Sequence, residues 1–342
     1  MKKFFFFLSI TFIILVVFNI TWLSITTYFW AAEGITFFYT YIDAEENLLE
    51  NIFGSTFVKW IILADILWLI SLLIFMLQRK HFKIEKDRHF LSHQPISNPK
   101  ICVVIPAYNE EKSIEKVVKD FINQEHVTDV IVIDNDSTDK TIELAEKSGA
   151  KTIKQDFNRG FAHNYATGLK ESLKTDANVI ATVDADGTSN AYDLEKMIPY
   201  LANSDMVLGT RQVQILTEKD NQNSMMHVWG NFFLAKLIQF KYFSLHYSGI
   251  VVLTDVGCLY RVIRRDALEK LSDDLFDSST GNVFGGIAFL LHLTMKAIEK
   301  DLRIVEVPVT FNKRIGKSKT NSDKKTTGLK IGLQFLKFIL LS

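Results

Sequence analysis

Three short apolar runs constrain this chain more than any other feature: ICVVIP (101–106), VIVID (130–134) and VIATVD (179–184). A continuous run of five or six aliphatic residues suits a strand buried on both faces, as when helices cover both sides of a parallel sheet. Between the first two runs, Ile114, Val117, Val118, Phe121 and Ile122 recur at helical spacing. The pattern predicts strands at 101–106, 130–134, 151–154, 179–184 and 206–209. It predicts helices at 114–122, 139–148, 161–174 and 191–202, with Gly149 closing the second. The expected class is α/β, with a mostly parallel sheet between helices.

In such sheets ligands bind at the carboxyl ends of the strands. Here those ends read PAYNEE (106–111), DNDSTD (134–139) and DAD (184–186), so several carboxylates converge on one edge. Without a counter-charge they would repel one another and raise their own pKa values. A hard divalent cation, held by oxygen and bridging to phosphates, resolves that conflict. A D-x-D pair alone is more often a turn or a helix N-cap. Here it ends an apolar strand beside two further acidic loops, so the metal reading is the stronger. The chain lacks GxxxxGK[ST], a GxGxxG after the first strand, and the GxSxG elbow, which removes the NTPase, dinucleotide and serine-hydrolase readings.

The 342 residues are 48% apolar with no net formal charge, a balance that argues against a nucleic-acid partner. Cys102 and Cys258 lie far apart and form no CxxC, so neither a disulfide framework nor a zinc site is expected. Residues 4–30 and 57–77 are long enough and apolar enough to cross a bilayer. The loop between them is acidic, while Lys2, Lys3 and QRKHFK (78–83) flank the pair. The positive-inside rule then puts both ends in the cytoplasm and makes the chain a multi-pass protein of the cell membrane. A cleaved signal peptide is the rival for the first run, and it leaves the topology unchanged. Asp65 within the second run permits pairing with Asn19 or self-association into a homo-oligomer without requiring either. The expected organisation is a transmembrane hairpin (1–80), a linker (81–99), a catalytic domain (100–320) and an amphipathic surface tail (321–342). WGNFFLAKLIQFKYF (229–243) reads as a core helix or as one lying in the membrane interface.

VVIPAYNEEKSI, VIVIDNDSTDKT, NRGFAHNYATG, VDADGT and VLGTR, in this order, resemble the family 2 glycosyltransferases of the GT-A fold. TDVGCLYRVIRRDAL and IVEVPVTFNKRIGKSK are similar to the polyprenyl-phosphate sugar transferases, the dolichol-phosphate mannosyltransferase type. The resemblance implies inverting transfer from a nucleotide-diphosphate sugar, with Mg²⁺ or Mn²⁺, to a polyprenyl phosphate at the cytoplasmic face. It implies that Pro106, Tyr108, Asn109, Glu110, Asp134, Asp136 and Asp184 hold the nucleotide sugar. Asp184 and Asp186 would hold the metal, with Thr188 a weaker oxygen donor. Asp186, Arg211 and Arg314 would be catalytic. Arg211, Asp255, Arg261, Arg314, Lys317 and Lys319 would contact phosphate or acceptor. The chain departs from the pattern at Thr188, Asn223, His227, Cys258, Leu259 and His292, mostly on the acceptor side. Two rivals stand beside this reading: transfer to another lipid or glycan, and a non-catalytic membrane scaffold.

Overall fold

Strand β1 (Ile101–Ala107) is buried along its whole length, as its unbroken apolar run requires. It pairs in parallel with β2 (Val127–Asp134) on one side and β4 (Val179–Thr182) on the other. The sheet is completed by β3 (Lys151–Lys154), β5 (Met206–Thr210), β6 (Arg261–Arg264) and β7 (Ile304–Pro308), in the order β3-β2-β1-β4-β6-β5-β7. The computed structural model describes residues 95–242, 251–277, 279–316 and 325–342, and the helical residues Val17, Phe18, Thr21, Leu63, Ile66, Leu67, Leu69 and Ile70. It falls into two units, residues 1–80 with 340–342, and residues 81–339.

The α/β class and mostly parallel sheet match the expectation, with one exception. β6 runs antiparallel to both of its neighbours, β4 and β5. Only four residues long and bounded by Arg261 and Arg264, RVIR carries too little apolar signal to read as a buried strand. Its direction matters for function. A strand running against β4 and β5 enters the sheet at the edge where those two leave it, which puts Asp255 beside the end of β5.

Helices cover both faces. α1 (Ile114–Ile122), α2 (Thr141–Lys147) and α4 (Asp193–Met197) lie on the face packed around Val103, Ile105 and Val132. α3 (Phe161–Ser172), α5 (Met225–Lys241), α6 (Arg265–Leu271) and α7 (Phe289–Glu299) cover the face built on Val104, Ile133 and Leu208. α3 comes so close that a Cβ built on Gly168 would lie 2.3 Å from Val104 Cγ1. The helix expected at 191–202 changes at Ile198 into a 3₁₀ segment over Ile198–Ala202, because Pro199 has no N–H to continue the α ladder. The tail forms α8 (Lys325–Leu341), which buries Ile339 and lays Phe335 and Phe338 against the core while Leu329 stays exposed. The hairpin expected at 4–30 and 57–77 lies almost wholly outside the described residues. Among the described residues, no helix is long and apolar enough to cross a membrane.

Candidate active site

Asp184 and Asp186 stand on the turn that follows β4, and the turn is held from below. Thr188 donates to Asp186 Oδ1 through both its N–H (3.0 Å) and its hydroxyl (2.6 Å). Thr188, expected as a weak oxygen donor to the metal, gives its hydroxyl proton to Asp186 and orients that carboxylate. Gly187, at φ 81°, permits the reversal, and a Cβ there would come within 2.9 Å of Ile315 Cδ1. The segment after β7 is strapped onto this turn: Ile315 N–H donates to Asp186 O (2.9 Å) and Asn312 N–H to Thr188 O (2.9 Å).

The strap brings Arg314 into the site. Its guanidinium meets Glu110 Oε1 at 2.6 Å and Asp186 Oδ2 at 2.8 Å, drawing the acidic loops after β1 and β4 together. Asp184 lies half-buried beside them, and among the described residues its carboxylate accepts no hydrogen bond. Burial and the adjacent Asp186 charge push its pKa up to about 7, against the pull of Arg211 and Arg314. This is a carboxylate set short of positive charge, with a guanidinium already bridging part of it. Asp184 and Asp186 fit a hard divalent cation.

The loops after β1 and β2 carry the remaining residues expected at the nucleotide sugar. Asp134 ends β2 fully buried; its Oδ2 accepts from Ser137 N–H (2.9 Å), while Oδ1 has no hydrogen-bond partner. A buried acceptor left open needs a donor from outside the protein, which water or a bound ligand can supply. Asn109, expected to hold the nucleotide sugar directly, instead braces the loop after β2: its carboxamide oxygen accepts from Thr138 N–H (2.8 Å) and its own N–H donates to Ser137 Oγ (2.9 Å). Pro106 lies within β1, and Tyr108 and Asp136 are half-buried at the loop surface, Asp136 with Lys154 at 3.9 Å. Asn135, missed by the motif reading, ties this loop to the next by donating to Asn158 Oδ1 (2.9 Å) and accepting from Arg159 N–H (3.0 Å).

Arg211 follows β5 and Asp255 precedes β6, so the antiparallel strand brings them face to face. Asp255 accepts from Arg211 Nε (2.7 Å) and Nη2 (2.9 Å), and from Gly257 N–H (3.0 Å). Burial alone would raise the Asp255 pKa, but Arg211 holds it below the usual carboxylate range. Asp255, expected to touch an acceptor, is committed to Arg211. Arg261 departs further from expectation. Its guanidinium turns into the core, donating to the carbonyls of Cys258 (3.1 Å) and Leu290 (3.1 Å) and to Thr294 Oγ1 (3.0 Å). At 1% exposure it ties β6 to α7 and is not available to an acceptor. Lys317 and Lys319 lie outside the described residues.

Beyond Arg211, an apolar groove of about 490 Å³ opens between the β5 and β7 ends and α5. Val213, Val228, Trp229, Phe232 and Val252 line it, with Thr210, Gln212, Thr254 and Glu306 at its inner side. Arg211 lines the small space beside Asp184, and the residues on either side of it, Thr210 and Gln212, line the groove.

An α/β sheet carrying a D-x-D turn at its carboxyl edge, with a cationic clamp beside it, is the arrangement that a transferase handling phosphorylated donors requires. The chain belongs to glycosyl transferase family 2, whose model matches residues 102–272, half of its length. It is 33% identical over 182 residues to an uncharacterised protein of Methanocaldococcus jannaschii, covering 53% of this chain and 71% of that one. It is 27% identical to the polyprenol monophosphomannose synthase of Mycolicibacterium smegmatis over 64% of this chain and 79% of that protein. The undecaprenyl-phosphate mannosyltransferase of Micrococcus luteus is 25% identical over 64% of this chain and 87% of its own length.

Proposed function

We propose that this glycosyltransferase moves a hexose from a nucleotide-diphosphate sugar to a polyprenyl phosphate, with inversion, at the cytoplasmic face of a membrane. One observation carries this reading: Arg211, gripped by Asp255, lines the space beside Asp184, while its chain neighbours Thr210 and Gln212 line an apolar groove. An isoprenoid needs the groove, its phosphate needs the guanidinium, and the sugar donor needs the carboxylate side. The names of the mycobacterial and micrococcal relatives support the acceptor class. The exposed Met225, Trp229 and Phe233 of α5 suit a helix lying in a lipid interface, and the flanking positive charge of the two N-terminal apolar runs supports the topology.

The chemistry follows from the side chains. Asp134 holds the base through its open Oδ1, and Glu110 and Tyr108 border the nucleotide. Asp184 and Asp186 would hold a Mg²⁺ or Mn²⁺, which when bound would supply charge neutralisation for the leaving diphosphate. Arg211 aligns the acceptor phosphate for attack on the anomeric carbon from the side opposite the diphosphate, and Arg314 is carried by its strap to the phosphates. A phosphate monoester, with a second pKa of ~6, is already anionic at neutral pH and needs no general base. That suits a site whose acceptor-side carboxylate, Asp255, is spent on Arg211. Catalysis is then alignment and charge stabilisation.

Membranes containing the full chain, given labelled nucleotide sugars and polyprenyl phosphate, test this. Label should enter the organic phase with Mn²⁺ but not with EDTA, should be lost in Asp186→Asn, and should be released by mild acid. Acid-stable product would move the acceptor to a hydroxyl-bearing lipid or glycan. Donor binding without any transfer would reject the acceptor assignment, and absence of donor binding would favour the scaffold.

A further inference from the structure

Strand β7 carries a carboxylate where its neighbours carry apolar side chains. Glu306 pairs in register with Leu208 of β5, and Val305 and Val307 on either side point into the opposite layer of the core. A half-buried charge on a sheet is costly unless it is satisfied. Glu306 is satisfied by one short segment. Thr254 N–H donates to both of its oxygens (2.8 and 2.7 Å), Thr254 Oγ1 to Oε2 (2.8 Å) and Asp255 N–H to Oε1 (3.0 Å). Burial pushes its pKa up, and these donors pull it back.

Both routes from this carboxylate lead to one side chain. Asp255, whose N–H Glu306 anchors, grips the Arg211 guanidinium. Thr254 Oγ1, its proton given to Glu306, accepts from Thr210 Oγ1 at 2.7 Å, and Thr210 immediately precedes Arg211. We propose that Glu306 is a positioning residue that sets the orientation of Arg211 from the floor of the apolar groove, through Thr254 and Asp255. This inference rests on the reading of Arg211 as the acceptor-phosphate contact. Glu306 lines the groove, and its bonds to Thr254 and Asp255 are what tie it to Arg211. A glutamine would keep its size but present an amide N–H₂ to the Thr254 and Asp255 donors, loosening the clamp without emptying the space.

A double-mutant cycle on the full-length protein tests this, using Glu306→Gln, Arg211→Lys and the double variant. The expected result is at least a tenfold loss of kcat/KM for polyprenyl phosphate in Glu306→Gln, with nucleoside diphosphate–Mn²⁺ affinity within twofold of wild type. On the Arg211→Lys background the same change should cost less than twofold. Equal losses on both backgrounds, or a parallel loss of nucleotide affinity, would indicate a merely structural role and overturn the proposal. Thr254→Val, which removes only the hydroxyl link, should give a smaller loss in the same direction and serves if Glu306→Gln fails to fold. Hydrogen exchange gives a readout independent of turnover. The Thr254 and Asp255 amides should exchange faster in Glu306→Gln while those of β5 stay unchanged; no difference overturns the proposal. A wild type that transfers no sugar would reject the acceptor reading, and the exchange measurement would then decide the part played by Glu306.

Discussion

Arg314 illustrates how much of this site is settled by single charges. Its guanidinium bridges Glu110 and Asp186, two carboxylates that would otherwise face each other across the cleft. It is the positive charge resident there, and a cation entering at Asp186 competes with it. Arg314→Met should therefore tighten Mn²⁺ binding in the absence of nucleotide by about tenfold, or ~1.4 kcal/mol, while sugar transfer falls. Titration of free Mn²⁺ by electron paramagnetic resonance measures this directly, and unchanged affinity would refute the competition. The carboxylates themselves were legible in the sequence, because each follows an apolar strand and a parallel sheet gathers its strand ends on one edge. The commitments of Thr188, Asn109, Asp255 and Arg261 were not. Residue type says that a hydroxyl, an amide or a guanidinium can reach a ligand; only neighbours brought from elsewhere in the chain say whether it is already engaged.

Among the elements, α3 shows the tightest dependence on its sheet. Gly168 lets the helix approach until Val104 Cγ1 and Ile133 Cγ1 would lie 2.3 and 3.0 Å from an added methyl. Gly168→Ala should thus destabilise the domain by about 1–3 kcal/mol through overpacking, despite alanine's better helix propensity. The unfolding midpoint in urea reads this, and a midpoint at or above wild type would contradict the packing argument. The helices and parallel strands could be foreseen because their periodicities are long enough to be distinctive. β6 could not: four residues ending in arginines, one of them buried against carbonyls, do not announce a strand. That short element decides which residues meet Arg211, so the donor side was far more readable than the acceptor side.

For the whole molecule, His292 joins three separate pieces of chain. It lies among Phe284, Phe289 and Phe338 of α8, and its Nε2–H donates to Asp274 O at 2.9 Å. Burial lowers its pKa from the ordinary 6.5, assisted by Lys296 and opposed by the bond to Asp274. The neutral ring is the form the fold accepts. Its contribution is complete above about pH 6.5 and is lost as pH falls through the lower folded value, with a slope of at most ~1.4 kcal/mol per pH unit. His292→Phe should flatten that part of the stability–pH curve measured by chemical unfolding; an unaltered slope would assign it elsewhere. The clamp between Arg211 and Asp255 has a consequence at this scale too. It closes the base of an excursion that leaves the sheet after β5, supplies α5 and much of the groove wall, and returns at β6. The Thr210–Thr254 hydrogen bond closes the same root, so the outer wall of the groove hangs from the sheet at one point. Substitutions at groove-lining positions such as Val228, Trp229 and Phe232 can therefore reshape the groove while the carboxylate turn after β4 inherits no change.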